Sequence, residues 1–229
     1  MITQKDQFSL LSLIAKEIKK DIACYAFGGN AMMFYGFKED TKDIDLIFDE
    51  ESAREEFIAA LVNLGFSSFS PITIYIPEKL RDKSKPLMFR KGGEFRFDLF
   101  VKKVFRTFLS PSMRENPFAV HDFRERHTLR VNVLKTEAIV LLKAITERDK
   151  DFEDILTIIK NDKNFNWQYL VDEALWQHQH GDSWVLIDLE RTIRELQKYV
   201  FIEQKYLRQI YLAQEKGMKR NQRNKTSKK

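Results

Sequence analysis

The chain carries the sequence FGGNA at residues 27–31 and the sequence DIDL at residues 43–46. The apolar residues before the glycines predict a short buried strand, and the residues after them predict the first turns of a helix. Two glycines at the end of a strand permit a sharp turn and a close approach by a phosphate group. The N-terminus of the following helix favours an anion. We therefore predict phosphate binding at Gly28, Gly29 and Asn30.

Residues 43–48 alternate acidic and apolar side chains, a pattern typical of a β-strand. Because side chains alternate between the faces of a strand, Asp43 and Asp45 share one face while Ile44 and Leu46 point to the core. Two adjacent carboxylates repel each other and usually share a cation. Mg²⁺ prefers carboxylate, phosphate and water oxygens as ligands. This strand therefore predicts a magnesium site.

A third carboxylate comes from residues 95–102, which alternate again and predict another strand. Phe95, Phe97, Leu99 and Val101 form its apolar face, and Asp98 lies on the opposite face with Arg96. Together, Asp43, Asp45 and Asp98 are the candidate ligands of a two-metal site. The alternative for Asp98 is an ordinary exposed acid paired with Arg96.

This pattern resembles the nucleotidyltransferase superfamily that shares a fold with DNA polymerase beta. The family motif is an apolar residue, then Gly-Gly or Gly-Ser, a gap, and then Asp-apolar-Asp or Asp-apolar-Glu. Residues 27–29 and 43–45 match it, and Asp98 matches the later carboxylate. The resemblance implies that the two glycines hold the triphosphate of an NTP. It also implies that the paired aspartates bind both Mg²⁺ ions and that Asp98 helps to activate the attacking hydroxyl.

A second stretch, residues 141–155, resembles the helical part of nucleotidyltransferases related to the AbiEii toxins. In that group a lysine on a helix faces the triphosphate, and a Lys-Asp pair with a further aspartate opens the next helix. The resemblance implies that Lys143 contacts phosphate and that Asp151 orients the lysine or the base. The residues alone leave two alternatives open, a solvated Lys143 and an Asp151 stabilised only by the helix dipole.

The resemblance also indicates a reaction and its partners. Relatives of this type act on tRNA ends or on protein hydroxyls, and many belong to toxin–antitoxin pairs. The implied reaction is the Mg²⁺-dependent transfer of a nucleoside monophosphate from an NTP to an acceptor hydroxyl of RNA, such as tRNA, or of protein. An antitoxin is then an expected partner. The alternative is a non-catalytic protein on the same fold that binds a nucleotide or a partner.

The remaining pattern predicts an α/β fold, a small mixed sheet with flanking helices as in the nucleotidyltransferase fold, followed by a helical C-terminal domain. Residues 72–76 and 128–133 predict further strands, and residues 81–93 predict a turn or mobile loop that could act as a lid. Residues 110–121 look irregular. We expect a catalytic domain at 1–134, a helical domain that closes the cleft at 135–215 and a basic disordered tail at 216–229.

Residues 184–215 predict one long helix with apolar residues near heptad spacing. Such a stripe either packs on the rest of the same chain or forms the seam of a homodimer.

The distribution of charge and the cysteine content bear on the partners and the cellular compartment of the protein. Residues 216–229 hold seven Lys and Arg and no acid, so without them the net charge falls from +5 to −2. The tail either attracts nucleic acid or is a solubilising end, and a basic patch around Arg124 and Arg130 favours RNA mildly. The lone cysteine, Cys24, and the lack of an apolar run long enough to span a bilayer predict a cytoplasmic protein without a membrane partner.

Overall fold

The computed structural model describes residues 1–70, 72, 81–93, 95–146 and 149–226, with the backbone alone at 149 and 217–226. The chain divides into two compact units, Met1–Leu142 and Lys143–Lys229. The boundary between them falls within a helix, eight residues after the one expected from the change of sequence period near residue 134.

The first unit is built on a mixed sheet, and an α/β fold is therefore confirmed. The strands are β2 (Ile22–Phe27), β4 (Ile44–Phe48), β5 (Ser67–Phe69), β6 (Leu87–Lys91), β7 (Phe95–Val101), β8 (Lys103–Val104), β9 (Thr107–Phe108), β10 (Ala119–Arg124) and β11 (Thr128–Val133). Their order in the sheet is β10-β11-β2-β4-β7-β6-β5, with β8 and β9 continuing from β7. The pairs β11–β2 and β4–β7 are parallel and the other neighbours are antiparallel. A separate two-stranded sheet pairs β1 (Ile2–Thr3) with β3 (Asp40–Thr41).

Among the described residues, four helices belong wholly to this unit: α1 (Gln4–Glu17), α2 (Gly28–Phe34), α3 (Glu51–Asn63) and α4 (Pro111–Glu115). The first begins with a capping box, in which the Thr3 hydroxyl accepts the N–H of Asp6 and the Asp6 carboxylate accepts the N–H of Thr3. Its apolar face buries Leu11 and Ile14. Helices α1 and α3 pack on each other, and α3 packs on β2, β4 and β7.

Two predictions for this unit are corrected. Residues 81–93 contain the strand β6 at Leu87–Lys91, which pairs with β5 on one side and β7 on the other, whereas residues 81–86 and 92–93 are turns and irregular backbone, as predicted. Residues 110–121 contain α4 and the start of β10, the edge strand that pairs with β11. Neither segment keeps one period along its length, because the first joins turns to a strand and the second joins a five-residue helix to a strand. The predicted strand at 72–76 lies outside the described residues apart from Ile72.

The second unit is helical, as the period of the sequence predicts. It begins at the end of α5 (Thr136–Ala144) and contains α6 (Asp149–Asn161), α7 (Trp167–Gln179), α8 (Val185–Leu196) and α9 (Gln204–Thr226). Side chains fix the starts of two of these helices. The side-chain Oδ1 of Asn166 accepts the N–H of Tyr169, and Oδ1 of the buried Asp182 accepts the N–H groups of Trp184 and Val185. Helices α7, α8 and α9 pack on one another.

The prediction of one long helix over 184–215 is wrong, because α8 ends at Leu196 and α9 starts at Gln204. Residues 199–202 are aromatic or β-branched, which lowers their helix propensity. Ile202 is buried, and its carbonyl accepts a hydrogen bond from the Gln197 side chain. The apolar stripe that suggested a dimer seam is also buried within the chain, at Leu189, Ile193, Leu196, Leu207 and Ile210.

Helix α9 runs to Thr226, where the sequence predicted a disordered tail from residue 216. Lysine, arginine and glutamine favour a helix, and between Lys216 and Arg223 the poor helix formers are Gly217 and Asn221. Among the described residues, none of the helices combines the length and the apolar character that crossing a bilayer requires.

The core of the first unit centres on Phe97 of β7, which is fully buried and packs edge-on against Phe57 and Phe66. We expect Phe97→Ala to lower the free energy of unfolding by about 3–5 kcal/mol, since it removes a buried ring and leaves a cavity. Urea unfolding followed by circular dichroism measures the change. Val62→Ala on the exposed side of α3 is the control and should cost less than about 1 kcal/mol. A similar cost for both variants would contradict this description of the core.

Candidate active site

The end of β2 is held against β4 by Gly28. Its φ is +67°, in the left-handed region that favours glycine. A Cβ atom at this position would overlap Oδ2 of Asp45. Gly29 is also tightly packed, since a Cβ there would lie 2.5 Å from Oγ1 of Thr41. The two glycines therefore let the turn lie directly on the strand and loop that carry the acidic residues.

The side chain of Asn30 fixes the same turn. It is buried, and its Oδ1 accepts a hydrogen bond of 3.1 Å from the backbone N–H of Asp45. The sequence predicted Asn30 as a phosphate ligand. In the structure its amide joins the start of α2 to β4, so it positions Asp45 directly.

Asp45 and Asp98 lie opposite each other on the neighbouring parallel strands β4 and β7. On its other side Asp45 is opposite Phe27, the last residue of β2. Asp98 is 1% exposed, whereas Asp43 and Asp45 are half-buried. Asp43 directly precedes β4 and shares the face of Asp45 by strand alternation. The structure thus brings all three predicted carboxylates to one end of the β4–β7 pair, and the alternative of an exposed Asp98 is wrong.

Arg96 completes this group. Its Nε donates to Oδ1 of Asp98 at 3.0 Å, and its Nη2 donates to Oδ2 of Asp43. We did not predict a functional role for Arg96 from the sequence. The available signal was its position two residues before Asp98, which places both side chains on the same face of β7.

The chemistry of this group fits a divalent cation. Carboxylate oxygens are the protein ligands that Mg²⁺ prefers, and Mg²⁺ usually keeps several water or phosphate ligands besides. In the described part of the chain no three His, Cys, Asp or Glu side chains have converged as a metal-binding set. At the β4–β7 end, the Arg96 guanidinium contacts both Asp43 and Asp98. Asp43, Asp45 and Asp98 are the residues that would hold such an ion.

Lys143 and Asp151 belong to the second unit, where they contact each other. The Lys143 side chain is 7% exposed, and its Nζ lies 3.0 Å from Oδ1 of Asp151 and 2.6 Å from Oδ2 of Asp154. Thr146 donates its hydroxyl proton to Asp151. The alternative of a solvated lysine is therefore wrong. Asp154 is the residue whose contact the sequence did not predict.

A cavity of about 640 Å³ opens beside this network within the second unit. Its walls include Lys143, Phe152, Arg191, Thr192 and Tyr199. Cationic, hydroxyl and aromatic groups are the types that line sites for polar, ring-containing ligands.

The basic patch suggested by Arg124 and Arg130 is partly neutralised. Both guanidinium groups bond to the carboxylate of Asp122, and these bonds hold the pKa of Asp122 well below its usual range. Arginines engaged in this way offer less charge to a phosphate backbone than the sequence suggested.

Comparison with protein-family models gives no match, and comparison with curated proteins gives no significant match. Five chains of solved structures match. One is the crystal structure of an H. pylori protein provisionally assigned as a nucleotidyltransferase, with 16% identity, a TM-score of 0.40, and coverage of 94% of this chain and 96% of that chain. A similarity of this size carries no statement about the activity of this chain.

Replacement of Gly28 by alanine tests the packing of the turn on Asp45. Gly36 is the matched control, because its φ is +72° and a Cβ there would meet no atom within 4 Å. Both variants should lose about 1–2 kcal/mol through backbone strain. Gly28→Ala should lose about 1–3 kcal/mol more, since the added methyl group must displace Asp45. Chemical unfolding followed by circular dichroism compares them, and equal losses would contradict the proposed close packing.

Replacement of Lys143 by methionine tests the buried network of the second unit. This variant leaves Asp151 and Asp154 without their shared cation, and we expect a loss of about 3–5 kcal/mol. All three tryptophans lie in the second unit, so their fluorescence during urea unfolding reports on it. Lys205→Met is the control, because the Lys205–Glu203 pair is half-exposed on both sides, and it should cost less than about 1 kcal/mol. Similar costs would show that Lys143 is not a buried counter-ion.

Proposed function

We propose that this chain is a Mg²⁺-dependent nucleotidyltransferase that transfers a nucleoside monophosphate from an NTP to an acceptor hydroxyl. The main support is the placement of Asp45 opposite Asp98 on β4 and β7, with Gly28 packed against the Asp45 carboxylate. This arrangement gathers oxygen ligands beside a glycine turn, where a phosphate chain can approach the backbone closely. The three carboxylates and the turn lie in the same unit of the structure.

Each residue has a distinct role in this proposal. Asp43 and Asp45 would hold the magnesium ions, and Gly28 and Gly29 would hold the triphosphate. Asp98 would bind metal and help to activate the attacking hydroxyl. Bound magnesium would align the α-phosphorus and neutralise charge on the leaving pyrophosphate. The protein itself then contributes mainly by positioning and by fixed charge.

Lys143 is proposed as a phosphate ligand and Asp151 as the residue that orients it. The 3.0 Å contact between them supports the orienting role. Because Asp154 also contacts Lys143, the amine is held at a fixed position by two carboxylates. A fixed amine loses little conformational entropy when it meets a phosphate.

The proposed acceptor is RNA, such as tRNA, or a protein hydroxyl, and a role as the toxin of a toxin–antitoxin pair is part of the proposal. Residues 216–229 carry seven basic residues, the main feature that favours RNA. Deletion of these residues should weaken RNA labelling and leave protein labelling unchanged.

The central experiment incubates the protein with Mg²⁺ and each α-³²P-labelled NTP, with total RNA present or absent. Label on RNA or on protein supports the proposal and identifies the acceptor class. Asp45→Asn should lower the rate by roughly 10²–10³-fold or more while leaving the circular dichroism spectrum unchanged, since it removes a charged metal ligand. Asp122→Asn, on the edge strand β10 and away from β4 and β7, is the control and should retain activity.

Two results would contradict the proposal. Full turnover by Asp45→Asn would show that this carboxylate does not act in the reaction. Binding of NTP with no label on any acceptor and no release of pyrophosphate would favour the non-catalytic nucleotide-binding protein instead.

A further inference from the structure

Arg96 contacts two of the three carboxylates at the proposed metal site. Its Nε lies 3.0 Å from Oδ1 of Asp98 and its Nη2 lies 3.5 Å from Oδ2 of the same residue. The same Nη2 also donates to Oδ2 of Asp43. One planar guanidinium therefore bridges carboxylates that come from two different parts of the chain, the start of β4 and the middle of β7.

Burial makes this bridge important for the cation-free protein. The Asp98 side chain is 1% exposed, and the side chains of Arg96 and Asp43 are 21% and 22% exposed. A buried carboxylate without a partner charge is strongly unfavourable. Asp45 lies next to Asp98 on β4 and adds a further negative charge. Arg96 is therefore a positive charge within the chain that contacts two members of this group directly.

A divalent cation and Arg96 need the same oxygen atoms. A guanidinium carries five N–H donors and no acceptor, so it cannot serve as a metal ligand. A cation bound to Asp98 and Asp43 would also repel the guanidinium at short range. A cation on the carboxylate oxygens that Arg96 now contacts would lie within a few ångströms of the guanidinium, so the two positive charges compete for these oxygens.

We propose that Arg96 is a built-in competitor of the metal ion: it neutralises Asp98 and Asp43 when no cation is bound and is displaced from them when a divalent cation binds. This inference rests on the proposed function, because it assumes that the carboxylates bind a cation. Its consequence is that Arg96 weakens cation binding while it stabilises the cation-free protein. A residue that served only the fold would have the second effect and not the first.

The test measures Mn²⁺ binding and thermal unfolding of the full chain, with Mn²⁺ as the probe for the magnesium site. Arg96→Met keeps the aliphatic length and removes the charge. In EDTA its Tm should fall by about 5–10 °C, since Asp98 loses its buried partner. Its Kd for Mn²⁺, measured by electron paramagnetic resonance, should be about tenfold lower than that of the wild type. Saturating Mn²⁺ should restore most of the lost Tm.

Three further variants isolate the effect. Arg114→Met removes an arginine that pairs with Asp49 in a half-exposed position, and it should leave Mn²⁺ affinity unchanged. Arg96→Lys keeps the charge but loses the two-oxygen fork, so its Mn²⁺ affinity should lie between those of the wild type and Arg96→Met. The double variant Arg96→Met with Asp98→Asn should be more stable in EDTA than Arg96→Met alone, because the buried negative charge of Asp98 is gone.

The outcomes separate this inference from the proposed function. Mn²⁺ binding by the wild type and Arg96→Met with the same Kd, or weaker binding by the variant, would overturn the inference alone. Absence of Mn²⁺ binding in both proteins would overturn the inference and the proposed metal site together. If Arg96→Met folds only when Mn²⁺ is present, that result supports the inference, and Arg96→Lys then supplies the comparison of affinities.

Discussion

The first unit has to accommodate several negatively charged carboxylates at one end of β4 and β7, and this constraint governs the packing around them. Asp45 and Asp98 lie side by side on central strands, and Asp98 is almost fully buried. Such an arrangement is unfavourable unless a positive charge is supplied. The close turn at Gly28 adds to the constraint, because it packs against the same carboxylate and leaves it little room to move away. The structure therefore concentrates acid where a globular protein would ordinarily avoid it.

The sheet fixes the positions of these acidic residues. A parallel pair at the centre places equivalent ends of β4 and β7 together, and the apolar residues of both strands are buried around them. The antiparallel strand β2 then brings the glycine turn to the same end, next to Asp45. Asn30 ties that turn to the Asp45 backbone with a hydrogen bond. Strands, turn and side chains thus define one position for the acidic group, which is the kind of rigid support that a metal or phosphate site requires.

Much of this could be predicted from the sequence, and the reasons for success and failure differ. The alternation of residues 43–48 and 95–101 is a local signal, so both strands and the shared face of their aspartates were predictable. The register that sets Asp45 opposite Asp98 is a tertiary property, as is the contact of Arg96 with Asp43 across 53 positions of sequence. Edge strands such as β10 were missed because they bury little and alternate weakly. The break between α8 and α9 was missed because no proline or glycine marks residues 197–203.

In both units a basic side chain lies between two acidic side chains, and comparison of the two groups shows what is particular to the one around Arg96. In the second unit Lys143 bridges Asp151 and Asp154, with two carboxylates for one amine. In the first unit Arg96 bridges Asp43 and Asp98, and Asp45 lies beside them as a third acid. The bridged pair of acids is common to both, so a buried cation between two carboxylates does not by itself indicate a metal site. The first unit differs in its third acid, because Asp45 lies beside Asp98 and next to the glycine turn at Gly28. This third carboxylate, beside a turn where a phosphate can approach the backbone closely, is the observation on which the proposed cation site rests.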